Sequence, residues 1–291
     1  MENKFGFKEI LSPEAAGPDI NMESREKERG ETLARLVIVR HFPAHYGEVK
    51  EIKAQDYDLI STPEQKDKNK RRAKQISRIF GDNEVVAFWT SPRQRAEGTK
   101  EVLKRHIHNP LIKEKVISSL QSVKVPPDYY EKFLQENMTG GWFPNYQETP
   151  REGRAGTDRV ESVGEVARRF KRVFKAFDRF THKRYSHMDS ADKKEITNII
   201  AVTHGEVPND FLENVFGFGY SHYGDYTKQH LGRGENLVIE TRCMPDGVIR
   251  HFATMRGRTV AFDFDPQTRS FNHGSGQPPK AEVVLKTPKF D

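Results

Sequence analysis

A single cysteine, Cys243, in a chain of 291 residues excludes an internal disulfide framework and any zinc site built from several thiolates. Long hydrophobic runs are also missing: nothing approaches the roughly 20 apolar residues that a membrane helix needs. The opening "MENKFGFKEILSPEAAG" lacks the apolar middle of a secretion signal. No membrane association is therefore expected, and the expected address is the cytoplasm. No internal repeat occurs. The H-E-x-x-H pattern is absent, and Pro43 between His41 and His45 disfavours the helix that would put both on one face. His106 and His108 lie close together without a further motif. Neither a metal nor another cofactor is expected.

What is present reads as a globular chain, 35% hydrophobic and 31% charged, long enough for one large domain or two small ones. The net charge of +6 favours anionic partners: phosphate esters, nucleic acid or acidic headgroups. In "KDKNKRRAKQISR", Lys66 to Arg78, seven cations stand against Asp67. Ala73, Ile76 and Phe80 recur there at helical spacing, which predicts a core-docked helix with a solvated basic face rather than a nucleic-acid footprint. Nucleic acid is not an expected partner.

The informative stretch is "LVIVRHFPAHYGE", Leu36 to Glu48. Four consecutive branched aliphatic residues read as a strand buried on both faces, as in a parallel sheet. Such a strand hands its next residues, Arg40 and His41, to the sheet edge where open α/β folds bind ligands. "EVVAFWTS", Glu84 to Ser91, and "ITNIIAVTHGE" repeat the theme, each a buried strand ending on polar residues. "SPRQRAEGTKEVLKRHI" has the form of a helix start, with Ser91 as cap and Pro92 in the first turn. "EKVISSL" predicts a third strand, "DRVESVGEVARRFKRVFKAFDRF" a strongly amphipathic helix, and "NLVIET" and "GVIRHFAT" two later strands. Strands alternating with helices indicate an α/β architecture with a mostly parallel central sheet.

The expected organisation is an extension over residues 1–32, a catalytic domain over 33–257, and a C-terminal strand and tail over 258–291. Within the domain, residues 121–158 lose regularity, with prolines at 126, 127, 144 and 150 and a cluster of glycines. A segment of that length is expected to be a functional lid or a mobile insert.

Three strand ends thus present Arg40 and His41, the turn with Arg93 and Arg95, and His204. Two arginines and two histidines in one pocket make an anion site, because guanidinium forks match phosphate oxygens. The chemistry this suits is phosphoryl transfer with an imidazole nucleophile and cations spreading the transition-state charge. "VRHF", "TSPRQRAEGT" and "VTHGE", in that order, resemble the signatures of the histidine phosphatase, or phosphoglycerate-mutase-like, superfamily; "VESVGEVARRF" resembles its helix before the last histidine strand. The likeness covers about Leu33 to Thr254. It implies a three-layer α/β/α sandwich, with His41 as the nucleophile that becomes phosphorylated, Arg40 and Arg95 gripping the phosphoryl oxygens, and His204 completing the pocket.

Two departures bear on activity. Phe42, followed by Pro43, replaces the glycine after the nucleophile, and Ala44 and Gly47 replace the remaining mutase positions, which argues against a mutase. Phe42 either lines the leaving-group side of the pocket or packs in the core; packing is the expectation. Ser122 stands where many relatives carry a glutamate, and serine is too weak an acid to protonate a leaving alkoxide. The insert carboxylates Asp128 and Glu131 are the leading replacements, with Glu136, His45, Glu48 and Glu206 as further candidates. The expected function is a metal-independent phosphomonoesterase acting on a phosphorylated small molecule or phosphoprotein through phosphohistidine at His41. The alternative is a catalytically weak relative that binds phosphorylated ligands or partners.

Overall fold

The computed structural model describes residues 30–44, 58–124, 161–187, 196–217 and 231–273. In chain order the elements are β1 (Glu31–Arg40), α1 (Pro63–Ser77), β2 (Val85–Thr90), α2 (Gln94–Lys104), β3 (Leu111–Val116), a short 3-10 turn (Ser118–Leu120), α3 (Val163–His187), β4 (Thr197–Thr203), α4 (Asn209–Phe216), β5 (Asn236–Cys243), β6 (Ile249–Met255), β7 (Arg258–Asp265) and β8 (Ser270–His273). The eight strands form one sheet in the order β3-β2-β4-β1-β5-β6-β7-β8.

Helices cover both faces of the sheet, giving the expected three-layer sandwich. In β1, Leu36 and Ile38 point to one face, where they join Phe170, Phe174 and Phe177 of α3 and Phe211 and Leu212 of α4. Val37 and Val39 point to the other, against Ala73 and Ile76 of α1 and Ala96 and Leu103 of α2. That two-sided burial is why the strand shows no polar alternation. Helix ends follow from local chemistry. Thr62 Oγ1 accepts from the Gln65 amide at 3.3 Å ahead of Pro63 in α1. Before α3, Ser162 and Glu165 exchange side-chain bonds with each other's amides at 2.9 and 2.7 Å, a capping box.

The parallel arrangement expected for most of the sheet holds for one half of it. The pairs β3-β2, β2-β4 and β4-β1 are parallel, whereas β1-β5, β5-β6, β6-β7 and β7-β8 are antiparallel. Connection length is the cause. Parallel neighbours need a crossover of a dozen or more residues. The β6-β7 link is the two-residue turn Arg256-Gly257, with φ of 49° and 75°, the left-handed pair that a tight hairpin demands. Strands β7 and β8, within residues 258–273, therefore continue the same sheet.

Two further expectations shift. The third strand is Leu111–Val116, so it takes in only the first three residues of "EKVISSL", while the last three form the 3-10 turn that buries Leu120. Ser91 does not cap α2; Arg93 holds the cap position, because the Ser91 hydroxyl is engaged elsewhere. Midway along β1, Arg35 ties neighbouring strands together. It pairs with Glu84 at 2.7 Å and Glu240 at 2.8 Å, and Asn198 Nδ2 donates to Glu84 at 2.9 Å.

Candidate active site

Because β1, β2 and β4 run parallel, their last residues share one sheet edge. Backbone bonds continue past the strands and lock the departing chain: the His41 amide donates to Thr203 O at 2.9 Å, and the Ser91 amide to Val202 O at 3.0 Å. His41, Ser91 and His204 therefore sit side by side. The two imidazole centroids lie 5.1 Å apart.

His41 Nδ1 lies 2.7 Å from the Phe42 carbonyl oxygen, an acceptor without a proton, so Nδ1 carries the hydrogen and Nε2 carries the lone pair. Arg95 Nε donates to that Nε2 at 3.2 Å. The Phe42 amide is held by Thr99 Oγ1 at 2.9 Å, and Thr99 in turn donates to the Arg95 carbonyl at 2.7 Å. One turn of α2 thereby positions both the nucleophile loop and the guanidinium facing it. His204 Nε2 is 2.9 Å from Ser91 Oγ, while its Nδ1 has no hydrogen-bond partner among the described residues. A buried ring nitrogen without a partner at an anion site is a natural contact for a phosphoryl oxygen.

Arg40 donates through Nη1 to the Leu231 carbonyl at 2.8 Å, and its backbone pairs with Gly234 and Glu235 at 3.0 and 3.1 Å. The turn before β5 is thus fixed against the end of β1. Gly234 has φ +73°, and a side chain there would meet Phe42 and Arg72 at 2.8 Å. Phe42 itself is fully buried among Val37, Val39 and Phe88, so it packs in the core as expected.

Arg40, His41, Arg95 and His204 are all at most 5% exposed, so their charges act on one another with little screening. Burial holds His41 well below its ordinary pKa, and the Arg95, Arg40 and Arg233 charges reinforce this against the opposing Phe42 carbonyl bond. Burial also depresses His204 strongly, followed by Arg95, His41, Arg93 and Arg40. Both imidazoles are neutral near pH 7, and a neutral imidazole has the electron pair that attacks phosphorus.

The four residues expected to converge do so. Asp128 and Glu131 lie outside the described residues, as do Glu136, His45 and Glu48. Among the described residues no group of three or more His, Cys, Asp or Glu side chains has the arrangement to hold a metal ion, and no helix is long and apolar enough to cross a membrane. Ser91, Thr99 and Arg233 have no site role in the motif pattern alone. Ser91 and Thr99 stand inside the quoted "TSPRQRAEGT" motif, and that membership was the available signal. Arg233, between two glycines, carried none.

No protein-family model matches the chain, and no curated protein matches it. Solved structures do. A mycobacterial glucosyl-3-phosphoglycerate phosphatase is 16% identical, with a TM-score of 0.45 over 75% of this chain and 96% of its own. A phosphoglycerate mutase from Bacillus anthracis is 12% identical, with a TM-score of 0.47 over 77% of this chain and 92% of its own. A putative alpha-ribazole-5'-P phosphatase from Escherichia coli is 14% identical, with a TM-score of 0.44 over 77% and 94%. At TM-scores below 0.5 the likeness carries no argument about chemistry, which rests on the pocket's own residues.

Proposed function

We propose that the chain is a phosphatase that hydrolyses the phosphate ester of a small molecule through a phosphohistidine on His41. The observation that carries this reading is the tautomer of His41: the Phe42 carbonyl holds the proton on Nδ1 and leaves the Nε2 lone pair toward Arg95. Before substrate arrives, Arg95 engages that lone pair; an incoming phosphoryl group gives the guanidinium a better, anionic partner and frees Nε2 to attack. Arg40 and Arg95 then stabilise the charge on the equatorial oxygens, and the His204 Nδ1 side of the ring contacts one of them. The two buried arginines supply the positive field, and His204 a ring nitrogen, in the place of the divalent ion of other phosphoryl-transfer sites.

The test is turnover of nitrophenyl phosphate by the full chain with and without a chelator. The reading expects hydrolysis that survives chelation, is inhibited by orthovanadate and disappears in His41→Ala at an unchanged melting temperature. Full activity in that variant contradicts it. Tight vanadate binding without turnover in the wild type transfers the site to the binding-protein reading.

A further inference from the structure

Ser91 has no part in the chemistry above, although its side chain is wholly buried beside His204. The sheet sets its position: the Ser91 amide donates at 3.0 Å to the Val202 carbonyl, which belongs to the neighbouring strand two residues before His204. Among the described residues the hydroxyl has two hydrogen-bond neighbours. The Arg93 amide approaches its oxygen at 3.4 Å, and His204 Nε2 lies 2.9 Å from it. An amide N–H only donates, so the oxygen accepts from Arg93, and the hydroxyl hydrogen is left with one acceptor, the Nε2 lone pair.

That bond decides what the other ring nitrogen carries. A neutral imidazole has one ring hydrogen, and the partner of one nitrogen settles which of the two bears it. Burial first, then the Arg95, His41, Arg93 and Arg40 charges, hold the His204 ring neutral. With Nε2 accepting from Ser91, the hydrogen sits on Nδ1, the buried atom that has no hydrogen-bond partner among the described residues. The opposite tautomer puts a lone pair on Nδ1, which repels an anionic oxygen, and leaves the Ser91 hydrogen buried without an acceptor.

We propose that Ser91 is a positioning residue that sets the tautomer of His204, so that this ring meets the phosphoryl group as a neutral Nδ1–H donor. The kinetic part of this role rests on the phosphatase reading; the tautomer does not. The two pocket histidines then share the Nδ1–H form, fixed in His41 by the Phe42 carbonyl and in His204 by the Ser91 hydroxyl. They use it in opposite ways. His41 turns its lone pair toward phosphorus, whereas His204 turns its hydrogen toward an equatorial oxygen and keeps it throughout the transfer.

Nitrogen NMR of the full chain, labelled in its histidine rings and held near neutral pH, reads the protonated nitrogen of each imidazole directly. The signals missing from His204→Gln identify His204. The expected wild-type spectrum shows His204 with a protonated Nδ1 and a bare Nε2. In Ser91→Ala the His204 pair shifts to the Nε2–H form or to a mixture while the His41 pair stays in place, and Ser91→Thr, which keeps a hydroxyl, retains the wild-type pattern. On nitrophenyl phosphate, Ser91→Ala is expected to lose about tenfold in kcat, the worth of one buried hydrogen bond, and Ser91→Thr to regain most of it. A wild-type His204 protonated on Nε2 or on both nitrogens overturns the proposal, and this arm carries the test if the alanine variant folds poorly. So does a well-folded Ser91→Ala with His204 unchanged, or with a shifted tautomer and undiminished kcat. If wild type cleaves no phosphate ester, the phosphatase reading falls and the spectra still decide the tautomer; if wild type turns over and only the spectra disagree, the phosphatase reading stands alone.

Discussion

The Phe42 carbonyl oxygen lies 2.7 Å from His41 Nδ1, so the residue that follows the nucleophile also sets its tautomer. The buried Phe42 ring anchors that carbonyl in the core, and Thr99 fixes the amide on its other side. A bulky residue where the resembled superfamily has glycine is therefore compatible with a well-oriented nucleophile.

Arg95→Ala removes the guanidinium facing Nε2 and a donor to the transition state. Loss of one such donor costs about 10²–10³-fold in kcat. Arg95→Lys keeps a charge without the planar fork and falls between the alanine variant and wild type. Steady-state kinetics on nitrophenyl phosphate checks both; wild-type kcat in Arg95→Ala contradicts the assignment.

Stability depends on pH through the two buried histidines. In the unfolded chain each takes a proton near 6.5, whereas the folded pocket holds both pKa values well below that. Below 6.5 the unfolded state binds more protons than the folded one, so stability is present above that pH and falls as the solution is acidified. The slope approaches about 1.4 kcal/mol per pH unit for each histidine. Denaturation between pH 7 and 5.5 is expected to show a shallower decline for His41→Gln/His204→Gln than for wild type. Identical slopes contradict the neutral, buried state. The acid limb of kcat/KM is likewise expected below 6.5, the ordinary histidine value.

Phe174 sits at the centre of an aromatic cluster, with ring centroids at 4.8 Å from Phe264, 5.2 Å from Phe271 and 5.6 Å from Phe262. Phe174→Ala is expected to cost about 3–5 kcal/mol, with kcat per folded molecule unchanged. Urea denaturation and active-site titration measure the two quantities separately.

The parallel half of the fold was legible because its strands are buried on both faces, and "LVIV" carries that burial directly. The sites at their ends were legible for the same reason: a buried run that stops abruptly on Arg40 and His41 delivers both to the edge of the sheet. Strand direction was not legible, since "NLVIET" and "GVIRHFAT" look alike whichever way they run, and only the short links between them fix the sense. The edge strand β3 was expected about three residues too late, because all six of its residues are exposed and "LIKEKV" alternates weakly, whereas the buried Leu120 drew the boundary forward. The contact between Glu206 and Ser122 spans 84 positions and belongs to no local pattern. Ser91 looked like a helix cap because a strand-end serine before proline fits one; the imidazole of His204, 113 positions away, uses its hydroxyl instead.

The central claim, a covalent phosphohistidine on His41, is tested most directly by trapping. Wild-type chain is mixed with a phosphate ester labelled in the phosphoryl group, quenched in denaturant and digested. The account predicts label on the peptide containing His41, stable in base, lost in acid and absent from His41→Ala. Label on a serine, label that survives acid, or undiminished labelling of His41→Ala contradicts it.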